Sequence, residues 1–314
     1  MAKKEKVLIT GGAGYLGSVM TEHFIKKGFA VTVLDDFRYC RTSLLNLCSN
    51  RALKIVRGDV RERSIIRPLV AEADLIIPLA AVVGAPACEL HPRESRSINV
   101  GAVKLINDLR SPGQRVLFPV TNSGYGVGEE GVFCTEESPL RPVSRYGKQK
   151  VEAEKILLDR GNAIAFRLAT AFGVSPRMRL DLLVNDFTYR ALRDRCIVLF
   201  EEHFKRNYIH VRDIAAVFHF GAVNFKKLKN QVYNVGLSSA NLSKRELCGL
   251  IEREVPGLTI ISSPIGKDPD QRNYIVSNEK IERAGFRPRW TLPAGIRELL
   301  KAYTFLKDSR YDNL

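Results

Sequence analysis

The chain contains few of the residues that build metal sites and disulfide frameworks. Its 314 residues include six cysteines and five histidines. The cysteines stand far apart, at positions 40, 48, 88, 134, 196 and 248, and none belongs to a Cys-x-x-Cys pair. A disulfide-stapled scaffold or a zinc site is therefore not expected, and no other metal is indicated. The sequence predicts free thiols in a reducing compartment.

Long hydrophobic runs are also absent. The longest nearly uncharged stretch covers residues 75–88 and is interrupted by Pro78, Gly84 and Pro86. It is too short to cross a bilayer and predicts a buried strand followed by a loop. The apolar stretch before Gly11 is too short for the core of a signal peptide. We expect a cytoplasmic protein with no membrane partner.

Negative charge is in short supply. The chain has 34 acidic against 49 basic residues and a net charge of +15, which suits nucleic acid or another anion. The basic residues are scattered, however, and no recognisable nucleic-acid-binding motif accompanies them. We expect a solvated surface with a few phosphate-binding arginines and no nucleic-acid partner. A nucleic-acid-binding or redox-sensing protein is the non-enzymatic alternative.

The first half of the chain alternates apolar strands with amphipathic helices. Strands are predicted over residues 6–10, 30–34, 53–57, 74–79, 115–120 and 162–168. Helices are predicted over residues 14–27, 61–72, 94–110 and 145–159. Strands that return through helices run parallel, and right-handed crossovers cover both faces of the sheet. The expected fold class is α/β, with a Rossmann-type, doubly wound parallel sheet.

After about residue 170 this alternation loosens, and loops become longer. We predict that residues 1–170, together with about 208–233, form the first domain. Residues 171–207 and 234–314 are expected to form a smaller, mixed C-terminal lobe that binds the substrate.

A glycine-rich segment follows the first predicted strand and opens the first predicted helix. Gly11, Gly14 and Gly17 fit Gly-x-x-Gly-x-x-Gly. Such glycines permit a tight turn and let the backbone approach a pyrophosphate at the positive end of the helix. Asp35 ends the second predicted strand, the place for a carboxylate that binds an adenosine ribose and repels a 2′-phosphate. The segment predicts that the first domain binds NAD.

Nearby residues leave alternatives open. Arg38 and Arg41 could favour NADP, although loop arginines are more often simply exposed. Asp59 follows the third predicted strand and is placed to meet the adenine amino group. A turn or N-cap aspartate explains this residue equally well.

A tyrosine and a lysine stand four residues apart on a predicted helix. Tyr146 and Lys150 therefore share one face and can reach one substrate hydroxyl. Free tyrosine has a pKa of about 10. A neighbouring ammonium and a nicotinamide cation stabilise the phenolate and lower that pKa, so that the tyrosine can take a proton from the substrate. Thr121 ends the fifth predicted strand and could hold the same hydroxyl. The alternative is a buried threonine bonded to the backbone.

Together these motifs resemble the extended short-chain dehydrogenase/reductases of the NAD-dependent epimerase/dehydratase family, which modify nucleotide-diphosphate sugars. The resemblance is carried by Asp35, Asn99 and residues 11–17, 58–60, 79–81, 121–126, 146–150 and 206–213. It implies that Thr121, Tyr146 and Lys150 are catalytic. It implies contacts to NAD from Gly11, Gly14, Tyr15, Leu16, Gly17, Asp35, Asp36, Asp59, Val60, Leu79, Ala80, Ala81, Asn99, Tyr146 and Lys150. Asn185, Arg206 and Arg272 would hold the nucleotide diphosphate.

One departure from the family pattern narrows the chemistry. Sugar-nucleotide 4,6-dehydratases carry Asp and Glu directly after the catalytic threonine, because eliminating water needs an extra acid and base. Asn122 and Ser123 occupy those places here, and neither exchanges a proton usefully at neutral pH. The pattern favours oxidation at C4, 4-epimerisation or reduction of a 4-keto sugar over dehydration.

Residues 175–187, 197–206 and 236–242 resemble the GDP-heptose 4-dehydrogenases of bacterial capsular polysaccharide pathways. This implies oxidation of GDP-manno-heptose to its 4-keto form, with a small 2-oxo acid as a candidate second oxidant. The expected substrate contacts are Thr121, Asn122, Ser123, Arg177, Arg179, Asn185, Arg206 and Arg272. Surface arginines are the alternative for Arg177 and Arg179.

The alternative function is a 4-epimerase with tightly bound NAD. In either case we expect a homodimer through the helices near 94–110 and 145–159.

Overall fold

The computed structural model describes residues 4–39, 42–266 and 273–306. Its strands are β1 (Lys6–Thr10), β2 (Ala30–Asp35), β3 (Leu53–Arg57), β4 (Leu75–Pro78), β5 (Arg115–Thr121), β6 (Phe133–Cys134), β7 (Ala163–Leu168), β8 (Thr170–Phe172), β9 (Cys196–Leu199), β10 (Lys205–His210), β11 (Gln231–Val235), β12 (Asn241–Ser243), β13 (Thr259–Ser262) and β14 (Ile275–Val276). Its α-helices are α1 (Tyr15–Lys26), α2 (Arg63–Glu72), α3 (Ala85–Leu90), α4 (Pro92–Arg96), α5 (Val103–Leu109), α6 (Arg145–Arg160), α7 (Leu183–Arg193), α8 (Val211–Val223), α9 (Phe225–Leu228), α10 (Lys244–Glu254), α11 (Glu279–Arg283) and α12 (Leu292–Tyr303).

The central sheet has the predicted parallel, doubly wound form. Seven strands lie in the order β11-β7-β5-β4-β1-β2-β3, and every neighbouring pair is parallel. Every residue of β4 and β7 is buried, because helices cover both faces of the sheet. The six predicted strands are confirmed to within one residue at each end, and β11 adds the seventh.

Side chains alternate between the two faces of this sheet and build a separate apolar core on each. Val7 and Ile9 of β1 pack into the core that includes Phe24 of α1 and Phe218 of α8. Leu8, between them, packs into the opposite core with residues of α2, α5 and α6. The period of two that predicted strands from the sequence thus also assigns each residue to its face.

The strand order creates a crevice at one edge of the sheet. The chain runs outward from β1 through β2 to β3 and then returns to β4 on the other side of β1. Loops that follow β1 and β4 therefore diverge to opposite faces and leave a gap between them at the carboxyl ends of these strands. Ligands bind in that gap in open parallel sheets.

The helix predicted over residues 94–110 is present but is not uniformly α-helical. Between α4 and α5 the chain forms a π-helical segment, Ser97–Ala102. Such segments are rare and are found mostly at functional sites. This one contains Asn99, a residue predicted to contact the cofactor.

Beyond β7 the chain builds a smaller, mixed region. β10 pairs parallel with β8 and antiparallel with β12, and β9 pairs parallel with β13. A third apolar core collects side chains from α7, α10 and α12. The exact division into a domain over 1–170 plus 208–233 and a lobe over 171–207 and 234–314 stays a prediction.

Three features follow from the described ranges alone. No helix there combines the length and hydropathy needed to cross a bilayer. No group of three or more His, Cys, Asp or Glu side chains in those ranges is placed to hold a metal ion. The five cysteines they contain are free thiols, and Cys40 lies outside the described residues.

Candidate active site

A cavity of about 480 Å³ opens at the carboxyl edge of the central sheet. Its floor comes from the ends of β1 to β5 and β7, and its far wall from the loop between β8 and α7. Among the predicted residues, those that line it are Gly11, Gly14, Tyr15, Leu16, Gly17, Asp35, Asp36, Asp59, Val60, Leu79, Ala80, Ala81, Thr121, Tyr146, Lys150, Arg177, Arg179 and Arg206. The structure thus brings most of the predicted site to one place.

The glycine-rich loop is packed too tightly for any larger residue. Gly11 has a φ of 71°, and a Cβ on it would lie 2.7 Å from the backbone nitrogen of Ala80. A Cβ on Gly17 would lie 2.1 Å from the carbonyl oxygen of Gly11. Gly14 immediately precedes α1 and lines the cavity. The positive end of α1 therefore opens into the cavity, as an anion site requires.

Asp35 is held rigidly at the end of β2. Its carboxylate oxygens accept the backbone N–H of Ala13 at 2.9 Å and that of Phe37 at 2.8 Å. Burial raises the pKa of this carboxyl above its ordinary value. Each oxygen has a second lone pair, so Asp35 can still accept hydrogen bonds from a ribose.

Arg38, one of the two arginines that could favour NADP, is already paired, and Arg41 lies outside the described residues. Arg38 donates to Asp36 through Nε at 2.6 Å and to Glu94 through Nη1 at 2.8 Å. Its charge is therefore balanced by two carboxylates within the protein. Together with Asp35, this arrangement does not favour a 2′-phosphate at this end of the cavity.

Asp59 lies in a turn and binds a neighbouring guanidinium. It accepts the backbone N–H of Arg61 at 2.8 Å and both Nε and Nη2 of the same side chain. The Arg61 guanidinium holds the pKa of this carboxyl below its usual range. The turn interpretation of Asp59 is therefore observed, while its contact with adenine stays a prediction.

The tyrosine–lysine pair lies on α6. Ser144 caps this helix, because its Oγ accepts the Gly147 N–H at 3.1 Å. Tyr146 and Lys150 follow one turn apart and both line the cavity. Thr121, at the end of β5, lines it as well. The three residues proposed for catalysis thus border one space, although they come from two elements.

Lys150 is a buried cation on an aromatic ring. Its side chain is 4% exposed, and Nζ lies 4.0 Å from the ring centroid of Phe118. Burial lowers the pKa of this ammonium to about 7, and the carboxylate of Glu154 partly opposes that shift. An amine with such a pKa readily exchanges a proton at neutral pH.

The chain folds sharply away from the cavity directly after Thr121. The Thr121 hydroxyl lies 2.9 Å from that of Ser123 and accepts the Ser123 backbone N–H at 3.1 Å. This hydrogen bond caps the short 3-10 helix that follows Thr121. Asn122 is 1% exposed, and its amide makes no hydrogen bond within the described residues. Neither Asn122 nor Ser123 lines the cavity, so their predicted substrate contacts stay predictions.

Asn99 lies behind the cavity wall. Its amide donates to the carbonyl of Val82 and accepts the N–H of the same residue, both at 2.9 Å. It also donates to Gln149 at 2.8 Å. In this structure Asn99 therefore fixes the loop after β4, which does line the cavity, and its direct contact with NAD stays a prediction.

Asn185 is also withdrawn from the cavity. It is fully buried, accepts the Gly173 N–H at 3.0 Å and donates to the Arg179 carbonyl at 2.8 Å. Its side chain thus shapes the loop that carries Arg179, and a contact with the nucleotide diphosphate stays a prediction. Arg272 lies outside the described residues.

Several lining residues had no signal in the sequence. Tyr39 and Thr170 lie on the cavity surface, and the Thr170 hydroxyl has no hydrogen-bond partner within the described residues. Asp181 pairs with Arg179, with Nε to Oδ1 at 3.0 Å. Only the spacing of Arg179 and Asp181 could have indicated that pair, because the other contacts depend on the tertiary fold.

The fold and the cavity define a dinucleotide-dependent enzyme of the short-chain dehydrogenase/reductase type. Residues 7–236 match the NAD dependent epimerase/dehydratase family, and the chain belongs to this family of nucleotide-sugar epimerases and dehydratases. The enzyme class and the NAD cofactor expected from the sequence are thereby confirmed.

The relatives span nearly the whole chain. The low-salt glycan biosynthesis protein Agl12 of Haloferax volcanii is 27% identical and covers 95% of this chain and 98% of its own length. A putative UDP-glucose 4-epimerase of Methanocaldococcus jannaschii is 23% identical and covers 94% and 97%. The structure of a UDP-glucose 4-epimerase of Thermus thermophilus in complex with NAD has a TM-score of 0.82 at 22% identity, covering 96% and 100%. At this identity the structural likeness establishes the fold.

The lining of the cavity fits NAD. The tight packing at Gly11 and Gly17 keeps the backbone of the glycine-rich loop next to the N-terminus of α1. The positive end of a helix stabilises a pyrophosphate. Asp35 supplies a carboxylate for a ribose at the end of β2. When bound, NAD supplies the acceptor for the electron pair and hydrogen that leave a substrate carbinol.

Proposed function

We propose that this enzyme oxidises the C4 hydroxyl of a nucleotide-diphosphate sugar to a ketone without eliminating water. The single observation that carries this proposal is the convergence of Thr121, Tyr146 and Lys150 on the cavity that also holds the glycine-rich loop. A base, a proton-sharing cation and a hydroxyl are thereby available to one substrate carbinol.

Each of the three residues has a distinct role in the proposal. Tyr146 accepts the proton of the substrate hydroxyl through its phenol oxygen. Lys150 stabilises the phenolate, since a buried ammonium gains a nearby opposite charge when the phenol ionises. Thr121 orients the substrate hydroxyl toward Tyr146. The low dielectric around Lys150 and Phe118 strengthens these interactions.

Elimination of water is disfavoured by the residues after Thr121. Dehydration requires an additional acid and base, and an amide and an alcohol stand at Asn122 and Ser123. Asp181, the nearest lining carboxylate in sequence to the arginines of the far wall, is paired with Arg179. This pattern supports a reaction at C4 that does not eliminate water.

The proposed substrate is GDP-manno-heptose, oxidised to its 4-keto form. This assignment is supported by the resemblance of residues 175–187, 197–206 and 236–242 to GDP-heptose 4-dehydrogenases. Arg206 is 4% exposed and lines the cavity, so a forked donor is present for a diphosphate. The relative named as a glycan biosynthesis protein is consistent with a product destined for a glycan. The proposal keeps the expected cytoplasmic location and the homodimer through α5 and α6.

A 4-epimerase is the second candidate. The observation that favours it is the presence of two relatives named as UDP-glucose 4-epimerase or putative UDP-glucose 4-epimerase, at 27% and 23% identity. An epimerase would use the same three catalytic residues and return the substrate with the opposite configuration at C4.

The test is to incubate the purified enzyme with GDP-manno-heptose and UDP-glucose, each with and without a panel of small 2-oxo acids. The proposal predicts a 4-keto product from the heptose, lighter by two hydrogens, with more turnovers when a 2-oxo acid serves as second oxidant. A product of unchanged mass and inverted C4, identified by proton NMR, would instead establish the epimerase. The absence of any ketone under all conditions would refute C4 oxidation as the net reaction.

A further inference from the structure

The loop after β8 is attached to the start of α1. The Tyr15 phenol donates to the carbonyl of Gly173 at 2.7 Å. The Ser175 hydroxyl donates to the Tyr15 carbonyl at 2.8 Å and lies 3.0 Å from the hydroxyl of Ser18. All of these groups are buried. The loop between β8 and α7, which forms the far wall of the cavity, is therefore anchored to α1, whose N-terminus opens onto the cofactor site.

Arg177 is positioned by the same anchor. Its backbone N–H donates to Ser175 Oγ at 3.3 Å, so two hydrogen bonds connect it to the first residue of α1. Its side chain is 2% exposed, lines the cavity and donates from Nη1 to the carbonyl of Met178 at 3.0 Å. That bond fixes the direction of the guanidinium.

The guanidinium also contacts the loop that follows β2. The Cζ atom of Arg177 lies 5.0 Å from the ring centroid of Tyr39, a distance typical of a cation–π contact. Tyr39 comes four residues after Asp35, the carboxylate placed for the adenosine ribose. Arg177 therefore lies between the start of α1 and the ribose end of the site, which is where the pyrophosphate of a dinucleotide joins its two halves.

We propose that Arg177 binds the pyrophosphate of NAD and does not bind the nucleotide sugar. A helix N-terminus contributes only about half an elementary charge, which leaves most of the charge of a pyrophosphate unbalanced. A forked guanidinium supplies a full charge and two parallel donors. The loop between β8 and α7 thereby acts as a clamp on the cofactor, a role different from the substrate contact predicted for Arg177 from the sequence.

Arg179 provides the matched contrast. It lies two residues further along the same loop and also lines the cavity, but its guanidinium is bound by both carboxylate oxygens of Asp181. Among the described residues its guanidinium makes no hydrogen bond to α1 and no cation–π contact with Tyr39, although its charge acts on the Tyr15 phenol. Equal loss of charge at these two positions therefore separates a cofactor role from a general effect of the loop.

The experiment compares Arg177→Gln, Arg177→Lys and Arg179→Gln with the wild type. The NAD retained by each purified protein is quantified after denaturation, and dissociation constants of NAD, ADP-ribose and adenosine are measured by calorimetry on protein stripped of nucleotide. We expect Arg177→Gln to weaken NAD and ADP-ribose alike, by at least about tenfold. Adenosine, which lacks the pyrophosphate, should bind as in the wild type. Arg177→Lys should be intermediate, and Arg179→Gln should bind NAD unchanged.

Two results would overturn the proposal. One is an Arg177→Gln protein that binds NAD within about twofold of the wild type while its KM for the nucleotide sugar rises. The other is a loss of adenosine affinity as large as that of NAD, which would indicate a collapsed loop in place of a lost phosphate contact. Should Arg177→Gln fail to fold, Arg177→Lys and Tyr39→Leu decide the matter, since both are expected to fold and to release NAD faster than the wild type.

Discussion

At the scale of single residues, the proposed oxidation depends on a phenol whose proton can be removed at neutral pH. Tyr146 and Lys150 lie one helical turn apart on the cavity wall, and burial lowers the pKa of the Lys150 ammonium to about 7. A neutral pair of the two side chains and an ion pair then differ by the transfer of one proton from the phenol to the amine. The phenol oxygen is therefore the group whose removal should abolish proton transfer.

Replacing Tyr146 with Phe removes that oxygen and keeps the ring. We expect turnover to fall by about 100-fold to 10,000-fold, because a positioned general base contributes that much. The NAD content of the purified protein should equal that of the wild type. Steady-state assay of 4-keto sugar formation provides the measurement. Full activity in this variant would show that another group takes the proton.

At the scale of elements, α6 is tied to the sheet by one buried ion pair. The Arg167 guanidinium on β7 donates to both oxygens of Glu154, at 2.7 and 3.0 Å, and to the Tyr125 phenol oxygen at 3.1 Å. Both charged side chains are about 5% exposed. Glu154 comes one turn after Lys150, so this pair fixes the helix that carries Tyr146 and Lys150, the residues proposed for catalysis.

The change Glu154→Gln should therefore destabilise the protein strongly. Removing the Glu154 charge leaves the buried Arg167 guanidinium without a counter-charge. We expect a loss of about 3 kcal/mol in the free energy of unfolding, measured with urea. Glu22→Gln is the control, because Glu22 pairs with the exposed Lys26 on α1 and should cost less than about 1 kcal/mol. Equal losses in the two variants would contradict this account.

Two helical glycines distinguish a packing requirement from helix propensity. Gly17 lies in α1, where a Cβ would lie 2.1 Å from the Gly11 carbonyl oxygen, whereas Gly249 lies in α10 with no atom within 4 Å of such a Cβ. Gly249→Ala should stabilise the protein by about 0.5–1 kcal/mol. Gly17→Ala should lower the thermal unfolding midpoint and release NAD. Retention of NAD by Gly17→Ala would show that the glycine loop adapts.

The elements of the first half could be predicted from the sequence because their signals are local. Apolar runs, the glycine-rich turn and the periodicity of the helices specify β1 to β5, β7 and α6 without reference to the rest of the chain. The roles of Asn99 and Asn185 could not be predicted in this way. Asn99 reaches Val82 from a π-helical segment, and Asn185 reaches Gly173 in the loop between β8 and α7. Neither the π-helical segment nor this loop has a local sequence pattern that predicts these contacts.

At the scale of the whole molecule, the buried ammonium of Lys150 makes stability depend on pH. Its pKa is about 7 in the folded protein, against 10.5 for an unperturbed lysine, the value that applies to the unfolded chain. Below pH 7 the lysine is protonated in both the folded and the unfolded state. The folded protein then bears the whole free-energy cost of burying a charged ammonium. Between these two values the unfolded chain binds more protons, so the free energy of unfolding rises with pH.

Lys150→Met should remove this dependence. In the absence of NAD, the variant is expected to be more stable than the wild type near pH 6, by about 2–4 kcal/mol. The difference should shrink as the pH approaches 10. Urea unfolding across that range tests the prediction, and parallel pH profiles of the two proteins would contradict it.

The central claim is that the enzyme oxidises C4 of a nucleotide sugar without removing water. Mass spectrometry of the sugar nucleotide after a single turnover with GDP-manno-heptose tests it most directly. The account predicts a 4-keto product lighter than the substrate by two hydrogens, with every oxygen of the heptose chain retained. A product lighter by one water, with a deoxygenated C6 and a ketone at C4, would contradict it.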